Sequence, residues 1–500
     1  MSKRKDKRRR FHNQQKEQHQ LLNERRQREF IARIAHLPPD RIVYLPLDIG
    51  KNVHWFRAET GSGRILHPPK ALTTDYEGYL YGKQHLDLWL TSGQFDLAVL
   101  GHEPTGIYHE TWCRHLLHDF AAYLADDAHP QLLYRFLNPY QVKLERLKLI
   151  QRSRKNDRID LWAMSNLLQQ GQGSPAVLPD SNTALLTQYV FFARQATHSL
   201  KSTRIGELRQ FDRIWPGAMV NVKRFKQAHP DLPVPRPIVE TKPFERDTFR
   251  VLFEHCPDPY RVRELDLSGI IALLHEHQVR CGPITAQRIL DCANRALLSP
   301  REVVAVYLQG LEQLRADEAH WLARQTWAEQ HLEEMVAATP ARHLLTIRGL
   351  SAPWAARYLD LGGAPPVFDW PDQVWACVGF DLIEKQSGDS ARTYGISHRG
   401  DPFHRQTLVW MANLVAGHHP TFGLVFQAAE ARGLGVWGAA IHTAHKLNRV
   451  CFRLLAEDRP YVDDTRPEDF TRWRTYWITY RQFHRDPKQF DDPGPWRPSR

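Results

Sequence analysis

Apolar and polar positions change their period along this chain, and the changes divide it. Three short apolar runs come first, Ile42–Asp48, Val53–Thr60 and Arg64–His67, with Gly61-Ser62-Gly63 marking a turn; they read as strands joined by turns. Tyr76, Leu80, His85, Leu86, Trp89 and Leu90 then recur at helical spacing. A strand over Asp96–Gly101, a helix over Ile107–Leu117, a strand over Leu132–Leu137 and a helix from Tyr140 complete this part. From about 183 to 343 the pattern is helical throughout. One stripe runs through Leu185, Leu186, Tyr189, Val190, Leu200, Ile205, Leu208 and Phe211, and a second through Val306, Leu311, Leu314, Trp321, Leu322 and Leu332. Two long amphipathic helices of this kind predict an antiparallel pair or a coiled coil. A Pro-rich connection (Pro230 to Pro243) and a small helical piece at Tyr260–Leu298 lie between them.

Three strands followed by alternating helix and strand is the layout of a ribonuclease-H-like α/β domain. That layout runs the first and fourth strands side by side and gives the acids at their ends a meaning. Asp48 closes the first apolar run and Glu103 follows the fourth, in Gly101-His102-Glu103-Pro104-Thr105-Gly106-Ile107-Tyr108. Asp157 and Asp160, in Lys155-Asn156-Asp157-Arg158-Ile159-Asp160, stand three apart and share a helix face. Converging carboxylates repel one another unless cations intervene, and hard oxygen ligands select Mg²⁺ or Mn²⁺ over zinc. Each motif also has a plain reading: Asp-Ile-Gly as a turn, Asp-x-x-Asp as a solvated helix face. Pro46 stands against the scheme, because proline fits poorly in a central strand.

A third block begins near Leu344. Thr346-Ile347-Arg348-Gly349-Leu350-Ser351 before a helical Ala355–Leu361 resembles a helix-hairpin-helix element. Beyond it Ser387 stands beside Gly388, with Arg392, His398, Arg399 and Arg405 following, a set that suits a nucleophile on a phosphodiester. The same Ser-Gly-Asp-Ser is also an ordinary polar loop. A helix over Val436–Leu455 presents Lys446 on a basic face, and the tail mixes Trp473, Trp477, Tyr480, Phe483 and Trp496 with arginines, to stack on bases or to pack.

Composition narrows the partners. Five hundred residues exceed one core, and a net charge of +11 points to a polyanion. No apolar run approaches the roughly 20 residues that span a bilayer, so no membrane role is expected. The opening Met1-Ser-Lys-Arg-Lys-Asp-Lys-Arg-Arg-Arg10 lacks the apolar core of a signal peptide, and six scattered cysteines show no Cys-x-x-Cys pairing, which together predict a cytoplasmic protein with reduced thiols and no zinc site. The expected segments are a basic arm at 1–40, an α/β domain at 41–180, a helical region with an insertion at 181–343, a mostly helical domain at 344–460 and a basic aromatic tail at 461–500.

Taken together the motifs resemble those of the DEDD transposases of the insertion-sequence-110 family, the bridge-RNA-guided recombinases. The resemblance rests on Leu47-Asp-Ile-Gly-Lys51, Glu103-x-Thr-Gly-x-Tyr108, Asn138-Pro139, Lys155-x-Asp157-x-x-Asp160, Arg348-Gly-Leu-Ser351, Phe380, Ser387-Gly388 and Ile396-Ser-x-x-Gly400. It covers roughly residues 42–180 and 344–455. It implies a RuvC-like domain in which Asp48, Glu103, Asp157 and Asp160 hold Mg²⁺, and a C-terminal transposase domain whose Ser387 forms a phosphoserine link to DNA. It also implies a structured bridge RNA that pairs with target and donor DNA, self-association as a dimer or tetramer, and nucleoid association in a bacterium. Nucleic-acid contacts are expected at Lys51, Arg154, Lys155, Arg158, Arg392, His398, Arg399, Arg405 and Lys446. Two other readings remain: a Holliday-junction-type RuvC nuclease that needs no serine, and an inactive nucleic-acid scaffold.

Overall fold

A computed structural model describes residues 27–484, apart from 29, 105, 126–130, 151–156, 242, 364–367, 369, 388–389 and 398–399. The chain divides into two compact units, Met1–Leu178 and Pro179–Arg500.

The first unit is built on a six-stranded mixed sheet with strand order β3-β2-β1-β4-β5-β6. The strands are β1 (Ile42–Ile49), β2 (His54–Thr60), β3 (Ile65–Leu72), β4 (Leu97–His102), β5 (Leu132–Phe136) and the two-residue β6 (Ser174–Pro175). Pairing is antiparallel between β1 and β2 and between β2 and β3, and parallel between β1 and β4 and between β4 and β5. Helices α1 (Tyr76–Thr91) and α2 (Tyr108–Asp119) cover one face, where Tyr79, Leu86, Trp89, Trp112 and Leu116 pack on Val43, Leu45, Leu47 and Leu100. Helices α3 (Pro139–Ile150) and α4 (Asp157–Gln169) cover the other, where Val142, Leu161, Met164, Leu167 and Leu168 meet Ile42, Tyr44, Leu97 and Val99. Side chains of a strand alternate between faces, so the clusters record the sidedness of β1 and β4 residue by residue.

Three prolines bear on strand assignment. Pro46 does sit in the central strand β1, and the β1–β2 register, continuous at Val43↔Thr60 and Tyr44↔Glu59, resumes only at Leu47↔Phe56. The ladder gives way where the donor is missing. The third strand runs further than its sequence signal, through Pro68 and Pro69 to Leu72, because β3 is an edge strand, where residues without an N–H are tolerated.

The second unit opens with α5 (Ser181–Ile214), capped by the Asp180 carboxylate, which accepts from the Thr183 N–H at 3.0 Å. It returns through α11 (Arg301–Ala337). Asn182 reaches the Ala338 carbonyl, Tyr189 meets Trp327 edge-on, Arg204 pairs with Glu318 at 2.5 Å and Gln210 donates to the Tyr307 carbonyl at 2.9 Å, so the two helices form a long antiparallel pair. At one end, beyond the short exposed helix α6 (Val222–Ala228), the helices α7 (Asp247–His255), α8 (Pro259–Glu264), α9 (Asp266–Glu276) and α10 (Pro283–Arg295) make their own core around Phe211, Trp215, Phe249, Leu252, Ile270 and Ile289. At the other, Leu186, Val190, Ala328, Leu332 and Val336 join a larger core. Most of its other members come from α12 (Ala352–Tyr358), α13 (Pro371–Cys377), α14 (Pro402–Ala416), α15 (Pro420–Glu430), α16 (Gly435–Ala456) and α17 (Pro467–His484). A two-stranded hairpin, β7 (Leu382–Ser387) with β8 (Ser390–Ile396), interrupts these helices. The tail tryptophans pack: Trp473 and Trp477 are buried, and the Trp473 indole N–H donates to the Ala416 carbonyl at 2.9 Å. All six cysteines are free, and no helix among the described residues is long and apolar enough to cross a membrane.

Glu207 is the polar exception inside the helix pair. It is 1 % exposed, its Oε1 has no hydrogen-bond partner, and burial pushes its carboxyl up to about 7 despite Arg204 and Arg315 nearby. A carboxyl raised in the folded state stabilises below its ordinary value of 4.5, and that stability is lost as pH rises through about 7. Glu207→Gln is therefore expected to flatten the fall in stability between pH 5 and pH 8, gaining roughly 1–3 kcal/mol at pH 8. Denaturant unfolding of both proteins across that range measures it.

Candidate functional site

The register of β1 on β4 sets Leu47 beside His102, so the residues that follow lie at neighbouring strand ends, Asp48 still paired with Trp55 of β2 and Glu103 just past the end of β4. Ile42 and Tyr44 point to the α4 face, and the alternation carries Asp48 to that same face. Leu97 and Val99 do likewise on β4, and Gly101 continues the series: a Cβ there would lie 2.6 Å from Leu168 Cδ2. Only a glycine lets α4 approach β4 this closely. Glu103 is next on that side.

Helix α4 runs antiparallel to β1, as its contacts with β2 show. Arg158 lies over the Trp55 ring at 5.7 Å, Trp162 lies under Arg57 at 4.1 Å, and Ser165 donates to Glu59. Since Trp55 is opposite Asp48 and Glu59 is opposite Tyr44, the first turn of α4 sits at the Asp48 end of β1. Asp157 and Asp160 occupy that turn, where carboxylates also complement the helix dipole. Asp160 is 5 % exposed and Asp157 is exposed. Three of the four expected acids thus share one face and one end of the sheet, with Asp157 at its rim.

Their side chains do not close on a common point. Among the described residues, no three His, Cys, Asp or Glu side chains are grouped to hold a metal ion. Asp160 is engaged elsewhere: both its oxygens accept from Nη1 of Arg146 on α3, at 2.6 and 2.8 Å. Sequence reasoning missed Arg146. The Asn138-Pro139 pair has a structural office here, since Asn138 Oδ1 accepts from the Tyr140 N–H at 2.9 Å and Pro139 begins α3. That helix start aims Arg146 at Asp160.

On the opposite face, His102 lies buried under Glu103. Its Nδ1 is 3.0 Å from the Glu103 carbonyl and its Nε2 is 2.8 Å from the Tyr134 hydroxyl. A carbonyl only accepts, so Nδ1 carries the proton and Nε2 accepts from Tyr134. Burial pushes the imidazole down to about 3, which keeps it neutral. The ring thereby fixes the backbone that carries Glu103, just before Pro104, where the strand ends.

In the second unit, Ser387 ends β7 and pairs in register with Ser390. It belongs to a hairpin where the sequence alone allowed a polar loop. Ser397 ties the hairpin base: its N–H donates to the Asp381 carbonyl at 2.7 Å and its hydroxyl to the Asp381 carboxylate. Gly400, at φ +87°, lies against the Cys377 carbonyl, where a Cβ would come within 1.9 Å. Only glycine satisfies both conditions. Arg348-Gly349-Leu350-Ser351 turns through Gly349, at φ +99°, into α12.

The expected nucleic-acid contacts fare differently. Lys51 and Arg158 are exposed near the Asp48 end of the sheet, and Lys446 is exposed on α16. Arg405 donates to the Val378 carbonyl at 2.9 Å and so braces α14 on the end of α13. Arg392 lies in β8 opposite Lys385. Arg154, Lys155, Gly388, His398 and Arg399 lie outside the described residues, as does the densest part of the basic arm.

Residues 341–427 match the family model described as Transposase IS116/IS110/IS902 family. That stretch runs from Ala341, before α12, into α15 and includes the whole hairpin. It supports a transposase or recombinase role for the chain. No curated protein matches the chain.

His102→Leu removes the donor to the Glu103 carbonyl and the acceptor of the Tyr134 hydroxyl together. Leaving such buried groups unsatisfied costs about 1–3 kcal/mol each. The expected outcome is a lower denaturation midpoint with an unchanged m-value, read by urea unfolding.

Proposed function

We propose that this protein is a DNA transposase that cuts and rejoins strands by serine chemistry at sites chosen by a structured bridge RNA. Asp48, Glu103, Asp157 and Asp160 hold Mg²⁺ or Mn²⁺ in a RuvC-like domain, and Ser387 is the nucleophile. The observation that carries this reading is the placement of Asp48, Glu103 and the first turn of α4 at one end of the sheet, in a chain whose residues 341–427 match a transposase family. Strand order β3-β2-β1-β4-β5 with β2 antiparallel to β1 supports the ribonuclease-H-like reading.

The residues fit a hard divalent cation. Every donor is a carboxylate, and the buried Asp160 already draws a positive charge to itself in the form of Arg146. Such a cation, when bound, withdraws charge from a phosphodiester and lowers the pKa of a coordinated hydroxyl. The chain supplies the rest. Asp48 and Glu103 are held rigidly at paired strand ends, Glu103 further by His102. The Ser387 hydroxyl attacks phosphorus: an Oγ–P bond forms, the bond from phosphorus to one deoxyribose oxygen breaks, and the serine proton passes through solvent to that leaving oxygen. A hydroxyl of a second DNA strand reverses the step, rejoining DNA and freeing the serine. Sequence choice by base pairing leaves the protein to make phosphate contacts, in keeping with its net charge of +11.

Ser387→Ala is expected to bind DNA and RNA but to form no covalent protein–DNA adduct on denaturing gels. Ser390→Ala should keep the adduct and is the cleaner control, because Ser397 braces Asp381. Cleavage without any adduct in the wild type would instead favour a metal-dependent nuclease working through water. Sequencing of RNA co-purified with the protein tests the guide: a single structured species is expected, and a random population would remove guidance from the reading.

A further inference from the structure

Asp160 has two claims on it. It is one of the four acids proposed to meet a divalent cation, and both its oxygens are bonded to Arg146 Nη1. The side chains of Arg146 and Asp160 are 16 % and 7 % exposed, so the pair is largely withdrawn from water. A carboxylate in that setting needs a positive charge beside it, and losing one partner leaves an uncompensated buried charge. The bond is made by one nitrogen alone, not by the fork of two parallel N–H groups that gives arginine–carboxylate pairs their strength. Arg146 belongs to α3, and Asp160 to α4, which packs against β1. The cation that holds Asp160 thus comes from outside the β1–α4 layer that carries the acids.

We propose that Arg146 is an exchangeable counter-charge: it holds the Asp160 carboxylate until a divalent cation displaces it, and so sets the metal affinity of the site. This rests on the metal-site reading above. Arg146 is a positioning residue in this scheme, competing with the cation for the same two oxygens and touching no substrate. Its presence compensates the buried Asp160 charge before metal arrives.

Titration of the full-length protein with Mn²⁺, followed by the electron paramagnetic resonance of the free ion, reads the exchange without any turnover. Arg146→Gln is expected to bind Mn²⁺ about tenfold more tightly than wild type, as the competitor is gone. Arg146→Lys keeps a charge and should stay near the wild-type affinity. In an Asp160→Asn background, Arg146→Gln should no longer change affinity. If Arg146→Gln binds Mn²⁺ no better than wild type, the pair is only structural and the proposal falls while the metal site stands. If neither wild type nor variant binds Mn²⁺, the metal site itself falls, and this inference with it. Should Arg146→Gln fold poorly without metal, rescue by Mn²⁺ but not by matched NaCl supports exchange, and absence of rescue overturns it.

Discussion

Parallel pairing of β1 with β4 is the constraint on which the first unit depends. Two parallel strands cannot be joined by a tight turn, so the chain between them must cross over, here by way of β2, β3 and α1. Parallel pairing also brings the same ends of both strands together, which is how Asp48 and Glu103, more than fifty residues apart, come to neighbouring strand ends. The close approach of α4 at Gly101 then brings in the carboxylates of its first turn. The apolar contacts of Leu161, Met164, Leu167 and Leu168 hold that helix down against the repulsion of the acids.

Much of this arrangement was legible in the sequence. Alternating helix and strand after three short strands implied the side-by-side placement of Asp48 and Glu103, because handedness and connection rules leave few alternatives. Asp157 and Asp160 were legible as one helix face from spacing alone. Arg146 was not: it meets Asp160, fourteen residues on, only through the packing of α3 on α4, and no local period reports a contact between two helices. His102 was hidden differently. A histidine in an apolar run has no sequence signature of its tautomer or its partner, and both depend on Tyr134 from the next strand.

The second unit repeats the lesson with other physics. The strand ending at Ser387 carries Glu384, Lys385 and Gln386, a polar run without alternation, so only the pairing of Lys385 with Arg392 and of Gln386 with Ala391 identifies it as a strand. Ser397 and Gly400 matched the family pattern as motif letters. In the fold they brace the hairpin base against Asp381 and Cys377, which explains their residue types without any chemistry. Trp473 and Trp477 similarly serve the packing of α17 on α15, with Trp473 lying so near Gly423 that no Cβ fits between them.

The antiparallel pairing of α5 with α11 has an evolutionary consequence. The chain leaves the larger core along one helix and returns along the other, and Gln210 meets Tyr307 close to where the smaller helical core begins. Everything between Trp215 and Pro300 therefore enters and exits through adjacent points and buries its own apolar residues. Such a segment behaves as a graft: it can be lengthened, shortened or replaced without rethreading the helix pair that carries it or the larger core beyond.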